Sequence, residues 1–380
     1  MRSPPSEAPA QAPARTPARQ WRREASIDFF RGLGLWMIFL DHLDHDVWSN
    51  LTLWRFGFSD FAEVFVFLSG FMSVGSWEKV FACGDSLAVV GKLGRRIGRL
   101  YIAQVAALLL SIALLWALAE RGVRVSDPAM YLWMSHPAHY LVLVLTLLYT
   151  PGIFTLLLLY IMVAPLLPVA MLGLKRAPKL TLSLSAGLWF LIQLPPFHSL
   201  GLNWHWYFNP LAWQFLFVLG AAVRYYSGPL ERIARLPWVI RMAACVVAVS
   251  VALKSLTLFP WTEDRIGAGL HASLLRHAGK PDLAAYRLAH FLALVIVVHA
   301  CLPRNRRWLQ SAAARWAIAC GQRSLVIFAA SLVLDTAGNL ILAAAPRGVF
   351  VQFFISASGI TTLCLLAWLD KRLRSNPKQH

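Results

Sequence analysis

Acidic residues are scarce in this chain, with 18 Asp and Glu against 36 Lys and Arg in 380 residues and a formal net charge of +18. Charge of either sign is sparse as well, at 14%, where soluble globular chains carry about 25%. Hydrophobic residues reach 58%, above the roughly 45–50% of soluble domains. These departures exclude an ordinary soluble domain and point to a chain solvated largely by lipid. Cysteine is thin too. Cys83, Cys245, Cys301, Cys320 and Cys364 are scattered, mostly in apolar runs, with no CxxC or Cys/His spacing, so neither a metal site nor a disulfide framework is expected. There is no GxSxG, HExxH, GxGxxG or P-loop, and no carboxylate pair in a glycosidase-like setting. The apolar stretches are continuous rather than alternating, which excludes a β-barrel.

Ten apolar runs are present, at about 27–44, 60–77, 100–119, 139–172, 181–195, 208–226, 238–258, 286–302, 316–343 and 349–369. At roughly 20 residues per span, they use most of the chain and leave no room for a large extramembrane domain. The expected fold class is therefore all-α, a polytopic membrane helix bundle of about ten transmembrane helices. The fourth run is too long for one straight helix, and Pro151-Gly152 offers a break. Residues 1–24, rich in Pro, Ala and Arg, read as a disordered basic cytoplasmic tail. Residues 25–370 form the membrane domain and 371–380 a second basic cytoplasmic tail. Asp41-His42 and Asp44-His45-Asp46 follow the first run where a signal peptide would carry a small-residue cleavage site, so that run reads as a retained helix. With the N-terminus inside, twenty-five Lys and Arg fall in cytoplasmic segments and seven in the opposite loops. That asymmetry around an even span count puts both termini in the cytoplasm. It also assigns the basic excess to topology and anionic lipid rather than nucleic acid.

Ionisable residues inside spans are costly and are functional candidates by default. Arg31 and His42 lie eleven positions apart on the first helix, on one face and roughly 16 Å apart along the axis. The bland alternatives are an Asp28–Arg31 pair at a helix start and an interfacial cap at His42. Glu63 enters the second helix at the depth of His42, where a carboxylate would orient the imidazole and raise its basicity. Asp41 is adjacent to His42 in sequence, but neighbouring helix residues point about 100° apart, so Glu63 is the preferred partner. Asp60 opens the second helix, and Ser69 lies two turns deeper, where small residues also serve packing. Arg95, Arg96 and Arg99 are ordinary membrane anchors taken singly, yet together they suit a phosphorylated ligand. The aromatic segment with Trp206 and Asn209 fits an interfacial belt and equally a surface for stacking on sugars. Trp213, Gln214, Arg287, His290, Ser324 and Asp335 are further inner polar groups.

IDFFRGLGLWMIFLDH followed by TLWRFGFSDFAEVFVFLSGF closely resembles the OpgC family, the succinyltransferases of osmoregulated periplasmic glucans, within the acyltransferase-3 multi-span membrane group. Arg31 and His42 match that group's first-helix Arg and His separated by ten residues. RRIGRLY (95–101), FNPLAWQFLFVLG (208–220), RLAHFLAL (287–294) and GQRSL (321–325) add to the likeness, which spans about 25–370. The resemblance implies a bacterial inner-membrane O-acyltransferase, with the lipid bilayer, an acyl-CoA (succinyl-CoA by type) and a periplasmic glucan as partners. It implies no metal and no permanently bound cofactor. His42 would be the general base, oriented by Glu63 or Asp41. Arg31, Arg95, Arg96 and Arg99 would hold the CoA portion. Asp60, Ser69, Trp206, Asn209, Trp213, Gln214, Arg287, His290 and Ser324 complete the expected substrate-binding set. The chain departs from the family pattern at Thr155 and Leu158, where the family carries Asp and a second Pro. Two rival classes stand beside this reading: a transporter using the intramembrane charges as a proton relay, and a non-catalytic membrane partner.

Overall fold

The computed structural model describes residues 25–44, 46–119, 136–148, 150–197, 206–258, 278–303, 305–344 and 348–375. The expected disorder of 1–24 lies outside these residues, as does the end of the C-terminal tail, 376–380. Fourteen regular helices occur among the described residues, with no strand: α1 (Ala25–Asp41), α2 (Phe61–Ala82), α3 (Ser86–Ala119), α4 (Pro137–Leu145), α5 (Thr155–Val163), α6 (Leu166–Arg176), α7 (Pro178–Ile192), α8 (Pro210–Tyr225), α9 (Ser227–Ala234), α10 (Pro237–Leu258), α11 (Ala285–Cys301), α12 (Ala312–Gln322), α13 (Ser324–Ala344) and α14 (Val349–Ser375). The helix starts follow local chemistry. Proline stands in the first turn of α4, α7 and α8, where its missing N–H costs nothing. Asp60 and Glu63 close a reciprocal capping box at α2, and Asn209 caps α8.

Five helices, α2, α3, α10, α13 and α14, are long and apolar enough to cross a membrane. The pair α5–α6, bent by 54° at Ala164-Pro165, makes a sixth if it acts as one span. The runs at 27–44, 181–195, 208–226 and 286–302 form helices of 17, 15, 16 and 17 residues, too short to count on length alone. The 139–172 run breaks where Pro151-Gly152 predicts, through a short 3₁₀ turn at Gly152–Phe154. α14 continues to Ser375, so helix extends into the first residues assigned to the tail.

Two helix crossings set the bundle. At α1–α12, a Cβ on Gly32 would strike the Ala317 carbonyl, and one on Gly321 the Asp28 carbonyl. At α2–α8, Gly70 meets the Phe217 carbonyl while Gly220 meets that of Phe67. Each contact is reciprocal, backbone on backbone, and only glycine permits it; close approach of this kind holds helices together where lipid offers no hydrophobic drive. Trp77, Trp213, Phe39, Phe154 and Phe291 fill the interior. Leu87, Val169, Leu184, Phe350 and Phe354 are exposed, an apolar exterior suited to acyl chains rather than water.

Candidate active site

The α1 helix carries Arg31 near its start and His42 just past its end, so two sites are built at opposite ends of one element. At the Arg31 end a cavity of about 310 Å³ opens between α1, α2, α3, α5 and α13. Arg31, Arg96, Arg99, Ser69, Tyr160 and Ser324 supply its polar lining, and Phe65, Leu156, Leu157 and Phe328 its apolar wall. Arg31 donates to Ser324 Oγ and stands 4.0 Å from Asp28, so the expected helix-start pair coexists with a place in the cavity lining. Arg96 donates to Ser69 Oγ at 3.1 Å and Ser73 Oγ at 3.2 Å. Its Nε is sealed from solvent and has no hydrogen-bond partner among the described residues. Arg99 donates through Nε to the Arg95 carbonyl at 3.1 Å. Arg95 itself is exposed and does not line the cavity; one step along the helix from Arg96, it is turned about 100° away. Ser69 is therefore a hydrogen-bonding residue of the cavity as well as a small residue in packing.

At the His42 end the arrangement differs from the expected one. Glu63 does not pair with His42. It accepts from Arg287 Nε at 2.6 Å and from its own capping-box N–H at Asp60 at 2.8 Å, which commits both carboxylate oxygens. Asp41 accepts from Thr52 Oγ1, and it too leaves the imidazole alone. The carboxylate opposite His42 is Asp335 of α13, with Nδ1 and Oδ2 3.8 Å apart. His42 keeps 30% of its side chain exposed, while Asp335 is fully enclosed.

Asp60 joins this group as an ion-pair hub. It accepts from Arg287 Nη2 at 3.0 Å and Lys280 Nζ at 2.7 Å. Burial alone would raise the Asp60 carboxyl, but Lys280 and Arg287 more than offset that and hold it well below the usual carboxylate range. Lys280 is presented by the turn 278–284, which is fastened at several points. The Asn209 N–H donates to the Pro281 carbonyl at 3.0 Å, and Asn209 Nδ2 to Asp282 Oδ1 at 3.1 Å. Trp213 Nε1 reaches the Pro281 carbonyl at 2.9 Å, and Trp189 Nε1 that of Leu283, also at 2.9 Å. Leu283 holds a φ of +48° within this turn, a conformation a leucine keeps only when its surroundings fix it. Asn209 and Trp213 thus touch the backbone that positions Lys280.

Other expected residues take structural partners. Gln214 exchanges hydrogen bonds with Ser185 at 2.6 and 2.9 Å. Trp206 donates to the Leu147 carbonyl at 3.1 Å and stands beside Thr155 and Leu158. Thr155 Oγ1 donates to the Gly152 carbonyl at 2.8 Å, so the family's carboxylate position here serves a local turn. His290 Nδ1 pairs with Ser59 Oγ at 2.6 Å, leaving Nε2 enclosed without a hydrogen-bond partner among the described residues.

Sequence reasoning missed Lys280, counted only as a loop cation, along with Tyr160 and Asn339. It noted Asp335 only as an inner polar group, although a lone carboxylate in an apolar run is itself a functional signal. An all-helical bundle with an apolar exterior, a basic cavity and an enclosed charged cluster defines a multi-pass membrane protein. The family model described as OpgC protein matches residues 23–375, nearly the whole chain, and the chain belongs to that family. No curated protein and no solved structure matches it. Membership points to a transferase of the OpgC type.

Proposed function

We propose that this OpgC-family protein is an inner-membrane O-acyltransferase. It moves an acyl group, succinyl by family type, from a cytoplasmic CoA thioester to a hydroxyl of a periplasmic glucan. The observation that carries this reading is the α1 helix, with the basic cavity at its Arg31 end and a partly exposed imidazole at its other end. Arg31, Arg96 and Arg99 supply guanidinium forks for the CoA phosphates, and the apolar wall suits the pantetheine arm. His42 takes the proton from the acceptor hydroxyl, whose oxygen attacks the thioester carbonyl. The carbon–sulfur bond then breaks, the new ester forms, and the leaving thiolate takes up the proton.

The reading is tested with proteoliposomes that enclose radiolabelled succinyl-CoA and are bathed in oligoglucose. Label in ester linkage on the external sugar is the expected result. Movement of label across the membrane without esterification would favour the transporter and overturn the proposal.

A further inference from the structure

Segment 42–44 is fastened to α13 at two points. Asn339 Nδ2 donates to the His42 carbonyl at 2.9 Å, and the Asp44 N–H donates to Asn339 Oδ1 at 2.7 Å. One amide side chain thereby grips the backbone on both sides of Leu43. Gly338, next to Asn339, lets Leu43 close on the helix, because a Cβ there would meet Leu43 Cδ2 at 2.6 Å. Asp335 lies four residues before Asn339, so the two share a face of α13 one turn apart. The grip on the backbone brings His42 Nδ1 to 3.8 Å from Asp335 Oδ2.

Apart from the Ile38 backbone one turn back, which acts on the imidazole, neither group is engaged elsewhere among the described residues. His42 Nδ1 and both carboxylate oxygens of Asp335 are sealed from solvent and lack any hydrogen-bond partner among the described residues. The other charged groups that act on His42 are Asp60 and Lys280, which bind each other at 2.7 Å. Asp41 is engaged by Thr52. Buried polar atoms left open in this way cost stability, and their retention face to face is what a functional pair leaves behind.

We infer that Asp335 and Asn339 are positioning residues for His42: Asn339 fixes the backbone that carries the imidazole, and Asp335 holds Nδ1 so that the ring acts as a base through Nε2. Closure of about 0.6–0.9 Å converts the 3.8 Å approach into a hydrogen bond. The inference rests on the proposed acyl transfer and replaces Glu63 as the orienting carboxylate.

The test compares acylation of oligoglucose by succinyl-CoA across pH for the wild-type protein and for Asp335→Asn, Asp335→Glu and His42→Ala in reconstituted membranes. Asp335→Asn should lower kcat at least tenfold and move the acid limb of the rate–pH profile to lower pH. The apparent affinity for succinyl-CoA should not change. Asp335→Glu should recover part of the rate and the original limb. Asp335→Ser, which also carries no charge, makes the same comparison if the Asn variant does not accumulate. An unaltered profile and rate in the neutral variants, alongside an inactive His42→Ala, would overturn the positioning role alone. Activity retained in His42→Ala would overturn the base assignment on which it rests.

Discussion

Arg31, near the start of α1, and His42, just past its end, sit roughly 16 Å apart by helix rise, so their substitution should separate donor binding from chemistry. Arg31→Lys keeps the charge and loses the planar fork that suits phosphate. The expected result is a weakened apparent affinity for acyl-CoA with an unchanged pH profile, read from rate against donor concentration. An unchanged affinity would leave Arg31 as a structural partner of Asp28 and Ser324. Arg287 is a different case. It is enclosed between Glu63 and Asp60, and removing one partner of a buried pair leaves uncompensated charge, at a cost of roughly 3–5 kcal/mol. Arg287→Met should therefore sharply lower the melting temperature of the purified protein in detergent, and adding Glu63→Gln should recover part of the loss. The Asp60 carboxyl is held below its ordinary value of 3.8. Its contribution is thus complete above that pH and is lost as pH falls toward the depressed value. Acid melting curves of Asp60→Asn should show a shallower fall below 3.8 than the wild type. Motif and spacing made the residue types of this cluster legible, since Asp60, Glu63, Arg287 and His42 all stand out in apolar sequence. Their pairing was not legible: Glu63 meets Arg287 224 positions away, a distance that only the packing of α2 against its neighbours decides.

Glycine-mediated crossings dominate at the scale of elements. Gly70→Val or Gly220→Val should force α2 and α8 apart, because each Cβ would fall on a backbone carbonyl of the other helix. Overpacking of this kind typically costs about 1–3 kcal/mol, and a backbone obstacle cannot turn aside. A lowered melting temperature and earlier limited proteolysis should report it. The turn that presents Lys280 depends likewise on α8: Asn209→Ala removes a helix cap worth about 1 kcal/mol and the tie to Asp282. Helix existence was largely legible from the apolar runs, and the break at Pro151-Gly152 from its residues. The second break at Ala164-Pro165 and the short lengths of α1, α7, α8 and α11 were not, because apolar content cannot distinguish a full span from a half-helix that packs inside.

For the molecule as a whole, the asymmetry of basic residues predicts both ends on one side. Reporter fusions at positions 125, 203 and 270 should read periplasmic, and those at 85, 177, 232 and 378 cytoplasmic. A cytoplasmic signal at 203 would contradict an even number of crossings in that order. On that sidedness, the proposed acyl transfer would have the Arg31 cavity facing the cytoplasmic donor and His42 the external acceptor. The most direct test is mass spectrometry of periplasmic glucans from a deletion strain carrying either the wild-type gene or His42→Ala at matched membrane levels. Acylated glucans are expected with the wild type and none with His42→Ala. Equal acylation in both strains would contradict the assignment of His42 as the base.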